Sequence, residues 1–156
     1  MKIEIRPANT STELEALVAL DVRIFSSDSF DDPDMWKDFE VFWIVLDGEI
    51  IGSTAFGLNL EFSISEEEEI PSPGCVYLAT TGILPGNQKR GIGGRVKEWQ
   101  INWARSHGFT RISTHCRESN IGSLHLNRRF GFEVIGRLAN YYEDPDEATI
   151  VMELKL

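Results

Sequence analysis

The chain has 156 residues, 42% apolar and 26% charged, with a formal net charge of -10, figures that fit one domain over residues 1–156 with enough chain for a core. No apolar run approaches the roughly 20 residues of a membrane helix, and an acidic chain argues against a general nucleic-acid binder, so neither a membrane nor a nucleic acid is expected as partner. Cys75 and Cys116 stand in no CxxC spacing and no export signal is read, so a cytoplasmic protein with reduced thiols and no metal is expected.

Residues 2–7 alternate as a strand, and Thr10 or Ser11 is positioned to cap a helix with Leu14, Leu17, Val18, Asp21–Val22 and Phe25 at helical spacing. Asp31-Asp32-Pro33 reads as the start of a second, short helix. Val41 to Leu46 is an apolar strand, Asp47-Gly48 a hairpin turn, and Ile50 to Leu60 the return strand, with Gly52 and Gly57 as sites of a bulge or a weaker edge. Residues 61–74, with the Glu66–Glu69 block and Pro71-Ser72-Pro73-Gly74, read as a solvated, mobile loop.

Cys75 to Leu84 is the next strand, and Pro85-Gly86-Asn87 a turn. A helix over 91–107 follows, with Ile92, Val96, Trp99 and Trp103 on one stripe and Gly108 as its stop. Thr110 to Cys116 is a strand, residues 119–130 a helix, and Phe132 to Arg137 and Ala148 to Leu154 the last strands, joined by an acidic turn at 143–147. The order β-α-α-β-β-β-α-β-α-β-β defines a mixed α/β domain. All four tryptophans, Trp36, Trp43, Trp99 and Trp103, read as core, whereas His107 and His125 read as surface residues.

Residues 86–137 carry ten of the 15 basic side chains and only three of the 25 acids, a net of +7 within an acidic chain. That imbalance suits one anionic ligand in this segment and a cationic partner elsewhere; the other reading of the acids is solubility alone. The segment contains Gln88-Lys89-Arg90-Gly91-Ile92-Gly93-Gly94, a glycine-bearing turn between a strand and a helix. A helix N-terminus leaves N–H groups without intrahelical partners and adds partial positive charge, the physical basis of a pyrophosphate site. The dinucleotide fingerprint fails at Val96, and a Walker loop fails because Ile92, not lysine, follows Gly91.

What remains, [QR]xxGx[GA], resembles motif A of the GCN5-related N-acetyltransferase superfamily. Downstream, Asn120-Ile121-Gly122-Ser123-Leu124-His125-Leu126-Asn127-Arg128-Arg129-Phe130-Gly131-Phe132 resembles its motif B, at the family's separation from motif A. Arg117-Glu118-Ser119-Asn120 and the ending from Asn140-Tyr141-Tyr142 to Leu154 are similar to ribosomal-protein N-terminal alanine acetyltransferases.

The resemblance implies acetyl-CoA as co-substrate, a primary amine (small molecule or protein N-terminus) as acceptor, direct attack in a ternary complex, and the possibility of a homodimer. It implies that Thr81, Gly82 and Ile83 pair with the pantetheine and that Gln88, Lys89, Arg90, Gly91, Ile92, Gly93 and Gly94 hold the pyrophosphate. Asn120 would contact the cofactor or cap its helix. At the position of the family's glutamate base stands His115, whose imidazole can serve as base or else pack inside the sheet. At the position of the family's tyrosine acid stands Asn127, which can hydrogen-bond a thiolate but cannot protonate it; Tyr141 or Tyr142 could supply the phenol instead, or pack at a substrate wall. The asparagine leaves open a second class of function, a CoA-binding sensor or interaction module without catalysis.

Overall fold

In the computed structural model, which describes residues 1–156, Asp47 and Gly48 both take positive φ (48° and 87°), the backbone twist a two-residue hairpin turn requires. That turn joins β2 (Glu40–Leu46) to β3 (Glu49–Ser63). The remaining elements are β1 (Ile3–Pro7), α1 (Leu14–Phe25), β4 (Glu68–Ile83), α2 (Ile92–Ser106), β5 (Arg111–Arg117), α3 (Ile121–Arg129), β6 (Glu133–Tyr142) and β7 (Glu147–Lys155). The strands lie in the order β1-β2-β3-β4-β5-β7-β6, a mixed α/β fold with the element order expected. No helix is long and apolar enough to cross a membrane. The chain divides into two compact units, Met1–Gly57 with Leu78–Val96, and Leu58–Tyr77 with Lys97–Leu156.

In the first unit β2 is buried on both faces, which is why it is a continuous apolar run rather than an alternating one. Val41, Trp43 and Val45 pack with Leu17 and Leu20 of α1 and with Trp36. Ile44 and Leu46 point the other way and pack with Ile51 and with Ile92 and Val96 of α2. A bulge opens between Ile44 and Val45, opposite Gly52 and Ile50. A Cβ at Gly52 would run into the carbonyl oxygen of Gly82, so only glycine permits this approach of β3 to β4.

In the second unit β5 pairs antiparallel with β7 over seven residues, with His115 opposite Val151 and Arg117 opposite Thr149. β4 pairs parallel with β5 through Cys75–Tyr77 and Arg111–Ser113. β6 pairs with β7 but carries irregularities between Val134 and Gly136 and between Leu138 and Tyr142.

Four expectations are corrected. Residues 61–74 are not a loose loop: β3 runs to Ser63, β4 starts at Glu68, and the acidic block forms a tight turn and the exposed beginning of β4. Like charges placed on the exposed end of a long hairpin do not disrupt it. Neither Thr10 nor Ser11 caps α1, which begins behind Glu13 without a side-chain cap and exposes Val22 (42%) while burying Asp21 (1%). The second helix is a single 3-10 turn at Pro33–Trp36, where Asp32 accepts from the Asp34 N–H at 2.9 Å. Trp99 and Trp103 are only partly buried; α2 turns Ile92, Val96, Lys97, Ile101 and Ala104 inward instead.

Candidate functional site

The first unit holds the turn that the sequence marked for a phosphate ligand. Strand β4 ends at Ile83, and a 3-10 turn at Pro85–Asn87 leads into residues 88–91, all exposed. Lys89 and Gly91 take positive φ (61° and 78°), which turns the backbone so that α2 begins at Ile92. The Gln88 side-chain nitrogen donates to the Ile83 carbonyl at 2.9 Å, tying the turn to the end of β4. Arg90 donates to Asn87 Oδ1 at 3.1 Å, and Arg95 reaches the Met1 carbonyl at 3.4 Å. Ahead of the turn, the Thr54 hydroxyl donates to the Thr80 carbonyl at 3.0 Å and lies 3.1 Å from the Thr81 hydroxyl. Gly82 is packed against Phe25 and Ile24 so closely that an added Cβ would meet the Phe25 ring at 2.6 Å.

The second unit brings together three of the four residues read as catalytic, His115, Tyr141 and Tyr142. Because side chains alternate along a strand, His115, Arg117 and Thr149 share one sheet face, and Thr114, Cys116 and Met152 share the other. His115 Nε2 lies 2.7 Å from the Tyr77 hydroxyl, and its Nδ1 lies 2.9 Å from Thr149 Oγ1 and 3.3 Å from the Tyr142 hydroxyl. Phe62 lies over the imidazole at 4.1 Å between ring centres, and Tyr141 meets it edge-on at 5.4 Å. The irregularity between Leu138 and Tyr142, with Asn140 at φ 56°, re-aims Tyr141 into this group.

Burial pushes the His115 imidazole from 6.5 down to about 4, so it is neutral at pH 7. Tyr77 is held well above its ordinary value, first by burial and then by the charge of Glu69, so it remains a phenol and a donor. Tyr141 is raised by the same two causes.

Arg117 closes the group from the chain's acidic turn. Its guanidinium donates to the carbonyls of Glu143 (2.6 Å) and Pro145 (2.9 Å), pairs with Glu147 at 3.1 Å, and lies 4.5 Å over the Tyr142 ring. Glu147 in turn accepts from the Ser119 N–H.

Asn127 stands apart. It is 3% exposed, its amide nitrogen contacts Met152 Sδ at 3.8 Å on the face opposite His115, and its Oδ1 has no partner. Asn120 caps α3, its side-chain oxygen accepting from the Ser123 N–H at 3.2 Å. On that same covered face the Lys97 ammonium is buried and sits 5.2 Å over the Phe132 ring. Sequence reasoning missed Tyr77 and Thr149: each is far from His115 in the chain, and no local pattern links them. Strand alternation alone could have placed Thr149, once β7 was known to pair with β5.

The class that the fold defines is a mixed α/β domain with a basic, glycine-bearing strand–helix turn. The model of the acetyltransferase (GNAT) family matches residues 13–132, and the chain belongs to that family. The ribosomal-protein-S18-alanine N-acetyltransferase of Escherichia coli has a similar fold at 18% identity, with a TM-score of 0.79 over 99% of this chain and 94% of that one. So has a GNAT family acetyltransferase of Elizabethkingia anophelis with acetyl-CoA bound, at 18% identity and TM-score 0.76 over 99% and 98%. The chain is 30% identical over 81 residues to N-alpha-acetyltransferase 50 of Danio rerio, covering 50% of this chain and 48% of that protein. It spans about half the length of the curated relatives it matches.

Proposed function

We propose that the chain transfers the acetyl group of acetyl-CoA to a primary amine by direct attack, the observation that carries the reading being the 2.7 Å contact of Tyr77 with a neutral, half-buried His115 in a member of this family. Residues 88–94 hold the pyrophosphate: the first-turn N–H groups of α2 and the charges of Lys89 and Arg90 supply the attraction. Thr81, Gly82 and Ile83 engage the pantetheine, and Asn120, whose oxygen is committed to the cap, has its amide nitrogen left for the cofactor. Acetyl-CoA bound in the related fold supports this half.

On the acceptor side the Tyr77–His115 pair takes up the proton that the nitrogen sheds as it attacks the thioester. A nitrogen that has added to a carbonyl is far more acidic than the free ammonium, so a weakly basic imidazole suffices. Tyr141 and Tyr142 line the approach to that pair, and the thiolate leaves without a dedicated acid, a thiol with an ordinary value of about 8.5 being a tolerable leaving group. The names of two similar proteins, an N-alpha-acetyltransferase and a ribosomal-protein-S18-alanine N-acetyltransferase, support a protein or small-molecule amine as acceptor.

A CoA-binding sensor is the second reading, and the seat of Asn127 favours it, since no phenol occupies that position. Thiol release from acetyl-CoA against a panel of amines and N-terminal peptides separates the two. Turnover with any amine supports transfer; tight acetyl-CoA binding with no turnover supports the sensor.

A further inference from the structure

The hydrogen bonds around His115 determine which of its nitrogens carries the proton. The Thr149 hydroxyl has one hydrogen, and it lies 3.1 Å from the Cys116 carbonyl, a group that can only accept. With that hydrogen committed, Thr149 Oγ1 can only accept from His115 Nδ1 at 2.9 Å; a bare Nδ1 there would set two lone pairs against each other. The Tyr142 hydroxyl, 3.4 Å from Thr149 Oγ1 and 3.3 Å from Nδ1, fits the same pattern by donating to the threonine oxygen.

We infer that Thr149 is a positioning residue that holds His115 in its Nδ1–H tautomer, so that Nε2 is the acceptor and Tyr77 the donor across their 2.7 Å contact. The chain of groups is then directional: Tyr77 hydroxyl to Nε2, Nδ1–H to Thr149, Thr149 to the backbone of β5. In the acetyl-transfer reading a proton reaches His115 through the Tyr77 hydroxyl, which is 3% exposed and hands its own hydrogen to Nε2 as it accepts another. Thr149 is fully buried, so no solvent competes for its hydroxyl. The kinetic part of this inference rests on the acetyl-transfer reading; the tautomer does not.

Imidazole nitrogen shifts and long-range proton–nitrogen couplings in labelled wild-type protein read the tautomer directly. The Nδ1–H pattern between pH 6 and 8 is expected; an Nε2–H pattern overturns the inference and needs no variant. Thr149→Val should mix the tautomers and lower kcat about 10- to 100-fold, part of what a positioned acid–base group contributes. The KM for acetyl-CoA should stay near the wild-type value. Thr149→Ser, which keeps the oxygen, should restore both the Nδ1–H pattern and most of the rate. A Thr149→Val protein that folds and keeps the Nδ1–H tautomer contradicts the assignment. An Nδ1–H wild type that acetylates no amine would leave the tautomer standing and refute the acetyl-transfer reading.

Discussion

Replacing Lys97 by methionine should make the protein more stable. The ammonium is 5% exposed, forms no ion pair, and has the Phe132 ring at 5.2 Å as its compensation. Burial lowers it from 10.5 to about 8. At about 1.4 kcal/mol per tenfold change, that drop is a destabilisation of about 3 kcal/mol at pH 7. The unfolded chain binds more protons than the folded one between about 8 and 10.5, so stability rises with pH through that window and the burden is fully felt below it. Methionine keeps an unbranched chain of similar length, and its sulfur against Phe132 replaces most of a cation–π contact worth about 0.5–2 kcal/mol. A net gain of about 1–3 kcal/mol at pH 7 is expected, shrinking as pH approaches 10. Urea denaturation of both proteins at pH 7 and pH 10 measures it. A less stable variant at pH 7, or a gain that does not change with pH, would show that Lys97 is neither desolvated nor uncompensated.

Gly52→Ala should cost about 1–3 kcal/mol, because its Cβ meets the Gly82 carbonyl, a backbone atom that cannot turn aside; an unchanged melting temperature would contradict the close approach. Gly93→Asp should abolish the rise in melting temperature with acetyl-CoA by placing negative charge at the pyrophosphate, while intact affinity would move the site elsewhere. Because burial holds His115 near 4, its protonation should not appear in the pH–rate profile between 5 and 8. A limb near 6.5 that disappears in His115→Ala would refute that. Arg117→Met should release the turn at 143–147 and the Tyr142 ring, raising the KM for the acceptor more than that for acetyl-CoA; equal effects on both would argue against a role confined to the acceptor side.

Local patterns revealed the parts of this fold whose cause is local. The Asp47-Gly48 turn, the apolar β2 and the glycine turn into α2 each declare themselves within a few residues, because positive φ and helix initiation are short-range matters. Residues 61–74 misled because a run of glutamates signals solvent, and the exposed end of a hairpin is also solvent. Trp99 and Trp103 suggested the buried stripe of α2 by size, yet the core lies on the stripe that includes Lys97, a residue whose charge argued for the surface. At the site, His115, Tyr141 and Tyr142 were found through family resemblance. Tyr77 and Thr149 were not, since strand pairing brings them to His115 from 38 and 34 residues away. Asn127 was set at the position of the family's tyrosine acid by resemblance, and its contact, Met152, lies on the sheet face opposite His115.

The most direct test of acetyl transfer follows CoA thiol release and acetylated product together, for wild type and for Tyr77→Phe, with acetyl-CoA and a panel of amines and N-terminal peptides. Stoichiometric thiol and acetyl-amine from the wild type are expected, with kcat reduced at least about 100-fold in Tyr77→Phe and acetyl-CoA affinity preserved. Wild-type protein that binds acetyl-CoA but acetylates no amine, or a Tyr77→Phe variant as fast as wild type, would contradict the assignment of this site.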